Sequence, residues 1–145
     1  MPKAHLFLSE SDEQEVIKAI QKAELNTSGE IRIHMEGKAT KDAYERALDV
    51  FNELKMHQTE QRNGVLIYVA IEDKKFVICG DEGINNVVAD DFWDSTRDSI
   101  AEHFKKGDFK AGILAGILNT GIQLKQFFPW KTDDENELSN EISKG

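Results

Sequence analysis

The stretch QRNGVLIYVAIEDKKFVICGDEGI, residues 61–84, contains two apolar runs that are rich in β-branched and aromatic residues. The runs, residues 65–71 and 76–79, are separated by the polar tetrapeptide EDKK, and this pattern predicts a β-hairpin with a four-residue connection. Neither run alternates cleanly between apolar and polar residues, which is typical of strands covered on both faces. We therefore expect two central strands with helices packed above and below the sheet.

The flanking sequence predicts a further strand and four helices. Residues 30–35 alternate as a strand with Ile31, Ile33 and Met35 on one face. Capping residues and apolar spacing predict helices over about residues 9–25, 41–56, 90–106 and 110–127. The order strand, helix, strand implies a right-handed crossover with parallel strands at or near each other. We infer an α/β fold with a small mixed β-sheet.

Length and composition indicate one soluble domain. The chain has 145 residues, and we assign residues 1–130 to a single domain and residues 131–145 to a flexible, acidic and polar tail. The net charge of −9 argues against nucleic acid or anionic lipid as a partner, because phosphate binding needs a basic surface. The sequence lacks a signal peptide and an apolar membrane span, and it has one cysteine, Cys79. We expect a cytoplasmic monomer.

The predicted topology brings several polar side chains to one edge of the sheet. Glu30 begins the first strand, Asn63 precedes the second and Asp81 follows the third, and these three positions meet if the first two strands are parallel. Arg62 lies next to Asn63 in the sequence. The remaining acidic candidates come from the start of the third predicted helix and from the tail: Asp90, Asp91, Asp94, Asp133 and Asp134.

Carboxylates that are held close together repel one another, and a bound cation, a raised pKa or an arginine partner relieves the repulsion. Oxygen ligands without paired cysteine or histidine favour calcium or magnesium over zinc. An alternative is that the aspartates at the helix start only cap the helix and complement its dipole. No serine lies in a G-x-S-x-G motif, and the four histidines are scattered, so the sequence offers no recognisable nucleophile.

Four short motifs resemble those of the TPM domain family, which includes the thylakoid-lumen photosystem II repair protein and many bacterial membrane-anchored proteins. The motifs are TSGEI at residues 27–31, RNGVLI at residues 62–67, GDEGI at residues 80–84 and FW at residues 92–93. The resemblance implies a three-layer α/β/α sandwich and divalent-cation binding at an acidic groove. The implied metal ligands are Glu30, Asn63, Asp81 and the aspartates Asp90, Asp91 and Asp94.

Two functional hypotheses follow from these features. The first is a stand-alone bacterial domain that binds calcium or magnesium at the strand-edge groove and serves as a binding or interaction module for a protein partner. The second is a metal-dependent acid phosphatase acting on phosphomonoesters, an activity that the resemblance implies through the plant member of the family. In the second hypothesis, Arg62 would offset the charge of the substrate.

Overall fold

A computed structural model of the protein describes residues 8–59, 61–89, 91–129 and 142–144. Its elements in chain order are α1 (Glu10–Glu24), β1 (Glu30–Glu36), α2 (Ala43–Glu53), β2 (Gly64–Ala70), β3 (Lys75–Gly80), α3 (Glu82–Asn85), α4 (Asp94–Lys105), α5 (Phe109–Phe127) and β4 (Ser143–Lys144). None of the helices among these residues is long and apolar enough to cross a membrane.

The four strands form one mixed sheet in the order β3-β2-β1-β4. Strands β1 and β2 are parallel, with Glu30 opposite Gly64, while β2 and β3 are antiparallel, with Val65 opposite Gly80. The predicted hairpin and the parallel crossover are therefore confirmed. The two-residue strand β4 was not predicted, and it pairs in parallel with β1 at His34 and Met35.

Helices cover both faces of the sheet, as the sequence predicted for an α/β/α sandwich. One face packs against α1, α4 and α5 and receives Ile31, Ile33 and Met35 of β1. The other face packs against α2 and receives Leu66 and Tyr68 of β2. Every residue of β2 is buried because this strand has a neighbour on each side and helices on each face.

Two details of the sequence prediction are wrong. Strand β3 lies at the edge of the sheet instead of its centre. Its Ile78 and Cys79 are buried, whereas Phe76 and Val77 are only partly covered, Phe76 by Phe104 of α4. The third long helix begins at Asp94, and not near residue 90, because the chain first forms the short helix α3 directly after Asp81. Most of the predicted flexible tail lies outside the described residues.

Candidate functional site

Three of the predicted site residues, Glu30, Asn63 and Asp81, lie at the end of the sheet where β1 and β2 begin and β3 ends. We call this end of the sheet the acidic edge. The amide of Glu30 donates to the carbonyl of Asn63 over 3.3 Å, and the amide of Asp81 donates to the carbonyl of Gly64 over 2.9 Å. These bonds place Glu30 and Asp81 on opposite sides of the start of β2. All three residues are almost fully buried, with exposed fractions of 2% for Glu30, 1% for Asn63 and 5% for Asp81.

The carboxylate of Asp81 is bound by an arginine and caps a helix. Arg62 donates from Nε to Oδ2 over 2.9 Å and from Nη2 to Oδ1 over 3.1 Å, which is the two-pronged geometry that makes such pairs strong. The amide of Glu82 also donates to Oδ1, over 2.7 Å, at the start of α3. Arg62 is therefore an arginine partner that relieves the repulsion between Asp81 and the other acidic side chains. A cation could reach Asp81 only by sharing or displacing Arg62.

The segment before β2 crosses the segment after β3 in close contact. The amide of Gly83 donates to the carbonyl of Arg62 over 2.9 Å, and a Cβ atom at Gly83 would lie only 2.2 Å from the carbonyl oxygen of Gln61. Arg62 itself has φ of 52°, in the left-handed region that costs energy for residues other than glycine. The crossing fixes the Arg62 side chain above the end of β3.

Side chains from the turn before β1 join the same edge. Ser28 Oγ accepts from Gln61 Nε2 over 3.1 Å and from Asn63 Nδ2 over 3.5 Å. The amide of Ser28 donates to the carbonyl of Phe128, and Thr27 Oγ1 donates to the same carbonyl, which ties this turn to the end of α5. The sequence motif TSGEI thus links three segments of the chain at the acidic edge.

Glu24, the last residue of α1, is a buried acid that the sequence-based site lacks. Its Oε2 accepts from the amide of Ile31 over 2.9 Å, where β1 has no neighbouring strand on that side, while its Oε1 is buried without a hydrogen-bond partner among the described residues. Burial, reinforced by the nearby charge of Glu30, raises the pKa of Glu24 to about 8 despite the bond from Ile31. The signal in the sequence was a glutamate in the apolar stripe of α1.

The other predicted ligands are not among the buried residues of the acidic edge that the structure describes. Asp91 and Asp94 are exposed, and Asp94 Oδ1 accepts from Arg97 Nη2 on its own helix over 2.6 Å. Asp90, together with Asp133 and Asp134, lies outside the described residues. Within residues 8–59, 61–89, 91–129 and 142–144, no three histidine, cysteine, aspartate or glutamate side chains form a group that could hold a metal ion.

The fit of a divalent cation to the acidic edge therefore rests on specific oxygen atoms. Glu24 Oε1 is a buried oxygen to which none of the described residues donates, and a cation is one group that could satisfy it. The side-chain carbonyl oxygen of Asn63 is a type of ligand that such cations bind. These described residues supply part of a coordination shell, and water or further side chains would have to complete it.

A second buried polar cluster lies on the α2 face of the sheet, away from the acidic edge along β1. Glu36 accepts from Arg46 Nε and Nη2 at 3.0 Å each, from the Tyr68 hydroxyl, and it pairs with His34 Nε2 at 2.9 Å. His34 Nδ1 in turn lies 2.9 Å from Ser143 Oγ of β4. Burial opposes the ionisation of Glu36, but the bonds from Arg46, Tyr68 and His34 outweigh it and hold the pKa of Glu36 below its ordinary value.

The chain is similar to one protein family and to several solved structures. The family model described as the TPM domain matches residues 3–121. The solution structure of BA42 from the psychrophilic bacterium Bizionia argentinensis is 56% identical, covers 96% of both chains and superposes with a TM-score of 0.92. No curated protein matches the chain.

Two more distant structures share the fold. The N-terminal domain of cg2496 from Corynebacterium glutamicum is 15% identical, with a TM-score of 0.65, over 81% of this chain and 74% of that one. The N-terminal domain of a protein from P. gingivalis is also 15% identical, with a TM-score of 0.68, over 84% of this chain and 79% of that one. At this level of identity the likeness concerns the fold alone.

Proposed function

Because the chain belongs to the TPM domain family, we propose that it binds a divalent cation, calcium or magnesium, at the acidic edge. The observation that carries the proposal is the burial of two neighbouring carboxyl groups, Glu24 and Glu30, at the strand ends that also bear Asn63. In this proposal, Glu30 and Glu24 hold the ion, the side-chain oxygen of Asn63 and water complete its shell, and Asp81 joins only if it leaves Arg62.

Electrostatics supports a cation at this position. Burial is the main cause of the raised pKa of Glu24, and the charge of Glu30 adds to it, so the ionised form of Glu24 is unfavourable without a nearby positive charge. An ion of charge +2 would stabilise both carboxylates in their ionised form. The net charge of −9 also raises the local concentration of cations around the protein.

The proposed biological role is that of a cation-dependent interaction module. The acidic edge joins four segments: the end of α1, the turn before β1, the residues before β2 and the residues after β3. An ion bound there would fix these segments relative to one another, and the surface they form would be the binding surface for a protein partner. In this proposal, the predicted ligands Asp90, Asp91 and Asp94, which follow Asp81 in the sequence, tune the charge of this surface.

A calcium and magnesium titration of the chelator-treated protein tests the proposal. We expect saturable amide NMR shifts around Glu24, Glu30, Asn63 and Asp81, and we expect Glu30→Gln to weaken the affinity about tenfold, because it removes one full charge from the site. Asp98→Asn, a substitution at an exposed acid of α4, is the matched control and should leave the affinity unchanged. Spectra that do not change with either ion would overturn the proposal.

The same samples distinguish the binding module from the phosphatase. Turnover of p-nitrophenyl phosphate that requires the cation and is lost in Glu30→Gln would support the phosphatase hypothesis. Cation binding without turnover would support the binding module. In the phosphatase hypothesis, the positive charge of Arg62 would offset the charge of the substrate phosphate, but Arg62 already pairs with Asp81 and Glu82.

A further inference from the structure

Helices α1 and α5 run parallel and form an apolar groove on the outer side of the molecule. Lys110 at the start of α5 contacts Asp12 and Glu15 at the start of α1, whereas Gly121 lies against Ala23 near the ends of both helices. A Cβ atom at Gly121 would approach Ala23 Cβ to 2.9 Å, so the glycine allows the two backbones to come close. The two helices therefore end at the same end of the groove.

The walls of the groove are apolar and accessible. Its volume is about 240 Å³, and its lining includes Ala19, Leu114 and Ile117. On the α5 side, Leu118 and Ile122 form a ridge with exposed fractions of 61% and 57%. Leu118 and Ile122 leave apolar surface in water beside the groove, and its burial by a ligand would favour binding.

The charged residues that line the described part of the groove are both lysines, Lys22 and Lys125. Lys22, Lys125 and the polar Asn26 line it toward the shared end of the two helices, and none of its described lining residues is acidic. Helix α5 contains no aspartate or glutamate, and the one acid in the second half of α1, Glu24, is buried against β1. A chain with 27 acidic residues therefore presents here a surface that is apolar and cationic.

Helix dipoles do not cancel this positive charge. Lysines in a last helical turn ordinarily complement the partial negative charge of the helix end, which is about half an elementary charge for each helix. Two lysines against two such ends leave a net charge of about +1 at the end of the groove. An anionic group is therefore the charge that fits this end.

We propose that the groove binds a single molecule of an alkyl carboxylate. Its aliphatic chain would lie along Leu114, Ile117 and Leu118, and its carboxylate would lie at Lys22 and Lys125. The span from Leu114 to Lys125 is about 16 Å at the α-helical rise, which suits a chain of roughly ten carbons.

Titration of the full chain with sodium decanoate below its micelle concentration tests the proposal. We expect saturable amide shifts confined to the groove between residues 19–26 and 114–125, and much weaker binding of decyltrimethylammonium, which has the same chain and the opposite charge. Absence of saturable shifts, or equal binding of the cationic amphiphile, would overturn the proposal. Binding only to vesicles of phosphatidylcholine and phosphatidylglycerol, without binding of the monomer, would also overturn it and indicate a membrane surface instead.

Two pairs of variants test the apolar and charged parts separately. Lys22→Glu combined with Lys125→Glu should weaken decanoate binding about tenfold, whereas Lys105→Glu at the exposed end of α4 should not. Ile122→Gln should weaken it, whereas Val87→Gln, at a residue that is 51% exposed elsewhere, should not. All five positions changed in these variants are exposed, so the fold should persist, and equal effects in test and control variants would contradict the proposal. The cation proposed for the acidic edge plays no part in this binding.

Discussion

Arg62 and Asp81 are joined by two hydrogen bonds of 2.9 and 3.1 Å, although they are 19 positions apart in the sequence. The pair closes the open end of the β2-β3 hairpin, because Arg62 precedes β2 and Asp81 follows β3. Asp81 is buried while Arg62 is 40% exposed, so the arginine brings its charge from the surface to an acid that the fold has removed from water. This arrangement makes Arg62 both a stabilising partner and a competitor for any cation at Asp81.

Arg62→Ala should destabilise the domain by about 1–2 kcal/mol, because it leaves the buried Asp81 carboxylate without its charged partner. Urea unfolding measures the change. Arg97→Ala is the matched control, and it should cost less than about 0.5 kcal/mol because both members of its pair with Asp94 are exposed. If the proposed cation binds at Asp81, Arg62→Ala should also bind calcium more tightly than the wild type. Unchanged or weaker calcium binding would remove Asp81 from the proposed ligands.

Gly83→Ala should destabilise the domain by about 2–4 kcal/mol, because the added methyl group would collide with the backbone carbonyl of Gln61. Backbone atoms at this crossing are held by the bond from the Gly83 amide to Arg62 and cannot move aside cheaply. Gly80→Ala is the control, since its Cβ would meet side-chain atoms of Trp93, Ile84 and Asn85 at ordinary distances of 3.4, 3.5 and 3.6 Å. Equal melting temperatures of the two variants would show that the crossing is not rigid.

The sequence predicted the acidic edge because hairpin geometry is local. A run of β-branched residues on each side of a polar connection is enough to place Arg62 and Asn63 beside Asp81. The edge position of β3 was missed because its composition resembles that of a central strand. Helices α4 and α2 pack on its two faces, so its side chains are apolar although one of its sides lacks a described neighbouring strand. Apolar content reports burial and carries no information on strand order.

Other features depended on contacts between distant parts of the chain. Glu24 became part of the edge only because α1 ends beside β1, where Glu24 Oε2 accepts from the amide of Ile31. Strand β4 has two residues, too few for any alternating pattern, and its place is set by pairing with His34 and Met35. The helix α3 has four residues and begins where Asp81 caps it, so its signal was a turn motif and not helical periodicity.

Glu24→Gln should change how stability depends on pH. The pKa of Glu24 is about 8 in the folded protein and near 4.5 when the chain is unfolded, so the unfolded state loses its proton first as the pH rises. Wild-type stability should therefore fall by a few kcal/mol relative to the variant between about pH 4.5 and 8, and change no further above that range. Unfolding measured at pH 5, 6.5 and 8 checks the trend.

Glu102→Gln, at an exposed acid of α4, is the control for Glu24→Gln and should follow the wild type. Saturating calcium should reduce the loss of wild-type stability at pH 8, because the proposed ion favours the ionised carboxylate. A wild type and a Glu24→Gln variant with the same pH dependence would show that Glu24 ionises freely in the folded state. That result would also weaken the case for a cation beside Glu30.

Glu36→Gln and Glu53→Gln remove the same charge from two partners of one arginine. Arg46 donates to Glu36 in the buried cluster and to Glu53, which is exposed, over 3.3 Å. Glu36→Gln should destabilise the domain by about 2–4 kcal/mol, because it leaves Arg46 without its buried counter-charge and gives Tyr68 and His34 a weaker acceptor.

Glu53→Gln should cost less than about 0.5 kcal/mol, as is usual for an exposed pair. The destabilisation caused by Glu36→Gln should also shrink as the pH falls, because the wild type loses stability when its own Glu36, whose pKa is held below the ordinary value, becomes protonated. Urea unfolding of both variants between pH 3 and 7 measures these differences. A Glu36→Gln effect that is as small as that of Glu53→Gln would mean that the buried cluster contributes little to stability and serves mainly to position Ser143 and β4 against His34.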